Sequence, residues 1–224
     1  MLNNIFLVGG GEFRKECTDM DTWVLDKTNS VDPLVAIVPT AASHESPHKA
    51  AENGCSHFEQ IGAKTTVPMI LNRLDAFNEY KLNQLSQADL IYFTGGNPQH
   101  LLDTITGTPI ESALIQGLKS GVIVAGSSAG AMIMGSDMRY QGWRKSLGIC
   151  DRLAILPHHE NSNPESVLKN FSHKLKSGLN MIGLSASTGV FIDNGEGHVL
   201  GNGIVTTYRL NEYNQFRSGE QFQY

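Results

Sequence analysis

Apolar runs of four to six residues, rich in Val and Ile, alternate along this chain with longer amphipathic stretches. The runs cover residues 4–8, 34–38, 65–70, 90–93, 121–125 and 153–156. Helical patterns lie near 14–27, 46–60, 76–86 and 109–119, with another at 164–176 after the sixth run. Parallel strands cannot be joined by a tight hairpin; they need a crossover of a dozen or more residues, usually a helix. The alternation therefore predicts an α/β chain with a mostly parallel sheet covered by helices on both faces. Pro109 opens one helix and Gly121 follows its end, the usual boundary asymmetry. From Gly189 the pattern changes, and VFIDNGEGHVLGNGIVTTYRL reads as strands joined by glycine-containing turns. Antiparallel hairpins are expected to complete one edge of the sheet.

Composition narrows the role. The 224 residues are 40% hydrophobic, enough for a sizeable core, and residues 1–224 read as one domain with no repeat or linker. The net charge is −5 and the 17 Lys and Arg residues are scattered, so neither a nucleic-acid nor a membrane partner is expected. The three cysteines are widely spaced and contain no CxxC pair, which excludes a disulfide framework and a zinc knuckle as readings. The opening MLNNIFLVGGGEF reads as a first strand rather than a signal peptide, and no window reaches the length of a membrane span. A cytoplasmic, reduced setting is expected, with a monomer or homodimer as the assembly.

The chemistry concentrates at GSSAG, residues 126–130, directly after the run Val122–Ala125. Loops at the carboxyl ends of parallel strands are where such sheets build their sites. The G-x-S-x-G spacing fits Ser128, with Gly126 and Gly130 two positions away; around Ser127 the same offsets hold Ala125 and Ala129. Neighbours at those offsets must be small because strand and helix approach closely, and the amides opening the next helix face the serine. A pentapeptide alone is weak evidence. Two further features support it: the strand FTGG ends in Gly95-Gly96, a turn able to present backbone N–H groups to an oxyanion, and Pro157-His158-His159 ends another run.

Together these segments resemble the peptidase E / cyanophycinase family of serine hydrolases, relatives of class I glutamine amidotransferase-like domains. The resemblance runs through IFLVGGGEF, VPTAAS, FTGGNPQHLL, GSSAGAM, LGIC…LPHH, IGLSAST and HVLGNG. It implies a flavodoxin-like three-layer α/β/α fold with Ser128 as nucleophile and His158 as general base. The oxyanion hole would come from Gly95, Gly96 and Ala129, with no cofactor and no metal. The implied activity is hydrolysis of short peptides or related amides, in the manner of a dipeptidase or exopeptidase.

The pattern departs from the family at two places. The acid that steadies the histidine would align with position 186, which is Ala186. Asp137 ranks first as its replacement, with Glu160 or a neutral hydrogen bond from Ser185 or Ser187 as alternatives. The helix after the histidine, where relatives that recognise aspartate carry arginines, offers only Lys169 and Lys174. Asn97, His159 and Trp143 are candidates for substrate contact. His44 and His48 share a helical spacing but straddle Pro47 and read as a helix start rather than as ligands. Gly9-Gly10-Gly11 lacks the third glycine of a dinucleotide turn, since position 14 is Arg14. The alternative to an enzyme is a non-catalytic small-molecule or peptide-binding protein that keeps the pocket with a degenerate triad.

Overall fold

The computed structural model describes residues 2–223. Its strands are β1 (Ile5–Val8), β2 (Leu34–Val38), β3 (Lys64–Thr66), β4 (Leu90–Phe93), β5 (Ile123–Ser127), β6 (Asp137–Arg139), β7 (Trp143–Lys145), β8 (Leu153–Leu156), β9 (Asn180–Leu184), β10 (Thr188–Asp193), β11 (Glu196–Gly201), β12 (Val205–Arg209), β13 (Glu212–Phe216) and β14 (Gln221–Gln223). The helices are α1 (Thr18–Asp26), α2 (Pro47–Gln60), α3 (Glu79–Ser86), α4 (Pro98–Ile105), α5 (Pro109–Ser120), α6 (Ala129–Met132), α7 (Pro164–Asn170) and α8 (Ser172–Lys176).

An eight-stranded sheet runs in the order β14-β11-β10-β1-β5-β4-β2-β3. The strands from β1 to β3 in that order are parallel, and β10, β11 and β14 extend the edge at β1 antiparallel. This is the mixed three-layer α/β architecture expected from the alternation. The run at 153–156 behaves differently. As β8 it leaves the main sheet and pairs parallel with β9, in a four-stranded sheet ordered β13-β12-β9-β8. Periodicity identifies a buried strand but carries no label for the sheet it joins.

Side-chain alternation along the strands sorts the two faces. Phe6, Val8, Val35, Ile37, Leu90 and Tyr92 pack with α1 and α2 residues such as Met20, Val24 and Phe58. Ile5, Leu7, Ala36, Ile91, Phe93 and Val124 pack with α4 and α5 residues such as Leu101, Ile105 and Leu114, in a cluster that also takes in Leu153, Ile155 and Ile182 of the smaller sheet. Chain leaving β1 and β2 therefore covers one face, while chain leaving β4 and β5 covers the other. Neighbouring loops diverge where such strands adjoin, opening a crevice at their carboxyl ends. β1 and β5 are adjacent, so the Gly9–Glu12 loop and the Ser127–Ser128 turn flank that crevice.

Candidate active site

Ser128 sits at φ 48° and ψ −104°, between the end of β5 and the first turn of α6. A non-glycine residue adopts such a backbone only when its surroundings hold it there. Those surroundings are identifiable. Ser128 N–H donates to Val8 O at 2.9 Å, tying the turn to β1. A Cβ on Gly126 would lie 2.3 Å from the carbonyl carbon of Gly130, and one on Gly130 would lie 2.4 Å from Phe93 O. Strand and helix thus touch through their glycines, the close approach that the spacing predicts. Ser127, the neighbouring serine, is fully buried and donates its hydroxyl to Glu12 Oε2 at 2.8 Å.

His158 follows β8 in the left-handed region at φ 52°. Its N–H donates to Gly9 O at 2.9 Å, and its imidazole lies against Gly10, where an added Cβ would be 2.2 Å from Cε1. Glycine is required at position 10 for that contact and for φ +121°. The result is a 3.1 Å approach between Ser128 Oγ and His158 Nε2. With the ring proton on Nδ1, Nε2 accepts the serine hydroxyl, the geometry a nucleophile–base pair needs.

Of the three amides expected to form the oxyanion hole, Gly95 is a correction. Its N–H donates to Glu12 Oε1 at 2.8 Å and is already engaged. Gly96, at φ +137° against Ala41 O, and Ala129, the first residue of α6, donate to no partner among the described hydrogen bonds. Backbone N–H groups without an internal partner beside a nucleophile can receive a developing negative charge.

The model of peptidase family S51 matches residues 5–200. This chain belongs to that family. The S51 chain is 24% identical to a cyanophycinase of Geminocystis herdmanii (strain PCC 6308) over 222 residues, covering 91% of this chain and 79% of the relative. It is 25% identical to a cyanophycinase of Synechococcus elongatus over 219 residues, covering 90% of this chain but only 66% of that relative. In fold it matches the crystal structure of a peptidase from an acI-B1 Actinobacterium with a TM-score of 0.84 at 23% identity, covering 100% of this chain and 98% of that one. The resemblance read from the motifs is therefore established as kinship, and the chain is a serine-type peptidase by family.

Around this S51 core, several expected contacts fall elsewhere. Asp137 does not serve His158. It stands on β6, 8% exposed, with Oδ2 3.0 Å from Lys145 Nζ and Oδ1 3.7 Å from Lys174 Nζ. Among the described residues no carboxylate is hydrogen-bonded to His158. Glu160 Oε2 accepts the Ala186 N–H at 3.0 Å, so a carboxylate does approach the position where the family's acid aligns. Its own amide, above all, holds the Glu160 carboxyl below the usual carboxylate range; burial opposes this, and Ala186 N–H and the two histidines add to it. Ser185 donates instead to Ile204 O.

Asn97 is a helix cap: its Oδ1 accepts from the amides of Gln99 and His100. His159 is buried, with Nε2 2.5 Å from the Tyr208 hydroxyl, and part of it still borders the cleft that Ser128 and His158 line. His44 packs its ring on His100 at 4.5 Å rather than pairing with His48.

Ser128 and His158 stand at the meeting of two clefts. One, of about 530 Å³, is lined by Met132, Arg139, Tyr140 and Phe171. Trp143 packs edge-on behind Phe171, with centroids 5.5 Å apart, and so supports the wall. The Arg139 guanidinium lies 5.1 Å from the centroid of the Phe171 ring and has no carboxylate partner among the described ion pairs. The other cleft, of about 360 Å³, is lined by Glu12, Glu45, Lys49 and Gly96. Glu12 and Arg139 are the residues that sequence reasoning passed over. Glu12 had a signal, an acid directly after the glycine turn that ends β1. Arg139 had none, because its place in the wall depends on how the hairpin β6–β7 folds over.

Proposed function

We propose that this S51 peptidase hydrolyses short peptides, or related amides, by a Ser-His nucleophilic mechanism. The observation that carries the reading is the 3.1 Å contact between Ser128 Oγ and His158 Nε2, at a strained turn on the rim of an open cleft. Ser128 Oγ attacks the carbonyl carbon and forms a C–O bond while His158 Nε2 takes the hydroxyl proton. The tetrahedral oxyanion is received by the amides of Gly96 and Ala129. Collapse breaks the C–N bond, and the imidazolium hands its proton to the departing amine. Water then repeats the sequence on the acyl-serine, with His158 again as base.

The guanidinium of Arg139, without a carboxylate partner among the described residues, supports a substrate with a carboxylate on the cleft side of the scissile bond, an anchor a planar fork is suited to grip. The cyanophycinase relatives make cyanophycin and its fragments the first substrates to try. The test is a fluorophosphonate probe, with which the wild type is expected to be labelled and Ser128→Ala not. Equal labelling of both would remove the nucleophile from the argument.

A second reading, a binding protein derived from an S51 peptidase, is favoured by Ala186 and by the absence of a carboxylate bonded to His158 among the described residues. Ser128-dependent turnover of any peptide in a dipeptide and short-peptide panel excludes it.

A further inference from the structure

We propose that Glu12 is a positioning residue that fixes which amide of the Gly95-Gly96 turn meets the oxyanion; the inference rests on the serine-peptidase reading above. Its carboxylate is partly buried and joins three parts of the chain that are far apart in sequence. Oε1 accepts the Gly95 N–H at 2.8 Å and Oε2 accepts the Ser127 hydroxyl at 2.8 Å. A Cβ on Gly95 would stand 2.9 Å from Glu12 Oε1 and 3.5 Å from Ser128 Cβ, so carboxylate and nucleophile pack on the same side of that glycine. Glu12 also lines the smaller cleft with Ser128, His158 and Gly96.

The physical consequence follows from what each amide can do. A carboxylate beside an oxyanion repels it, and hydrogen bonds donated to its oxygens soften that repulsion without removing it. Here both oxygens are committed, one to the turn and one to the strand that carries the nucleophile. Committing Gly95 N–H to Glu12 locks the orientation of that peptide plane, and with it the next one, whose N–H belongs to Gly96. Gly96 lies in a region open only to glycine, so nothing in its own side chain holds the turn. Without Glu12 the Gly95 amide loses its acceptor, and the peptide between Gly95 and its neighbours is left to the flanking bonds of Thr94 N–H to Val38 O and Asn97 N–H to Ala41 O. The bond to Ser127 does the same service for the elbow, one residue from the nucleophile. Ser127 is thus the serine that holds the frame, and Ser128 the one that reacts.

The experiment compares wild type, Glu12→Ala, Glu12→Gln and Ser127→Ala, reading the rate constant and the affinity of fluorophosphonate labelling separately. Steady-state kcat and KM on a cleaved peptide are measured alongside. Losing one oxyanion donor costs about 10²–10³ in kcat. Glu12→Ala is expected to lower the labelling rate constant and kcat by about that factor, with probe affinity and KM within about threefold. Glu12→Gln is expected to recover most of the loss, because its amide oxygen still accepts from Gly95 and the Ser127 hydroxyl can turn to accept from its NH₂. Ser127→Ala, which leaves the Gly95 bond intact, is expected to lose about tenfold or less.

A Glu12→Ala rate near wild type overturns the inference, as does a loss that falls equally on affinity, or a Glu12→Gln no better than Glu12→Ala. Should Glu12→Ala fail to fold, Glu12→Gln against Ser127→Ala decides. The inference survives only if the glutamine variant labels at least as fast as the serine variant. No labelling of wild type, or labelling that persists in Ser128→Ala, counts against the peptidase reading instead.

Discussion

The two halves of the proposed catalytic pair, Ser128 and His158, are built to different standards. The nucleophile belongs to the eight-stranded sheet, where β1, β4 and β5 are buried at every position. Its turn is closed by Ser128 N–H to Val8 O and by the Glu12 bridge. The histidine comes from the four-stranded sheet and is followed by α7, a helix with no buried residue. His158 is itself exposed. Its backbone is held by Gly9 O and its ring by the flat surface of Gly10, both contributed by the other sheet. The nucleophile is therefore positioned within one sheet, whereas the base is positioned by the docking of two. The Ser128–His158 distance reports on that docking.

The largest test of this contrast removes each partner. Ser128→Ala and His158→Ala are each expected to lower kcat by about 10⁴–10⁶, and the double variant is expected to be no worse than either, because groups that act as a unit lose their effect together. Additive losses in single-turnover assays would mean that the two do not work as a pair. Next in size is Gly10→Ala. The added methyl would overlap the imidazole and demand φ +121° of a residue with a side chain, so the ring must move. A displacement of about 1 Å at the base costs about 10²-fold in kcat/KM. The same variant leaves the elbow untouched, and circular dichroism and thermal melting should show a folded protein. Wild-type turnover in Gly10→Ala would show that the histidine does not depend on the loop after β1.

Asp137→Asn gives a smaller and qualitatively different effect. Its carboxylate pairs with Lys145 and Lys174 rather than with His158, so kcat should stay within about twofold. The pairs themselves are partly solvated, at 84% and 25% side-chain exposure of the two lysines. Their loss is worth about 1 kcal/mol, or about 2–4 °C in melting temperature for a chain of this size. A fall in kcat of a hundredfold or more would return Asp137 to the catalytic machinery.

The same division explains what could be read from the chain. Ser128 was legible because an elbow is a local device: the glycines at 126 and 130 and the preceding apolar run lie within ten residues of one another. His158 was legible because it ends a run and follows Pro157 as the family resemblance requires. Glu12 was not, since its partner Ser127 is 115 residues away and only the pairing of β1 with β5 brings them together. Asp137 misled for the opposite reason. It is close to Ser128 in sequence, but the hairpin β6–β7 directs its carboxylate to Lys145, its register partner. Gly95 was half right: the turn is in place, yet one of its two amides is spent on a side chain that no spacing rule would have connected to it.

The smallest effect lies in the histidine next to the base. His159 packs against Gly183 of β9, where an added Cβ would be 2.2 Å from Cδ2, and its Nε2 meets Tyr208 OH. It thereby anchors to its own sheet the chain segment that offers His158 to the other. Burial pushes the His159 pKa below the ordinary 6.5, against a smaller opposing pull from Glu160. Burial also raises the Tyr208 hydroxyl to about 12, so it remains protonated. In the unfolded chain His159 takes up its proton near 6.5, while in the folded protein it resists until the pH is lower. Between those values the unfolded state binds more protons, so the contribution of the neutral ring is complete above about 6.5 and is lost as the pH falls toward the folded value. Melting temperatures at pH 7.5 and 5.5 should therefore differ more for wild type than for His159→Gln, whatever the absolute cost of the substitution. Equal differences would mean that the ring is not held neutral, and that the docking of the second sheet does not draw on it.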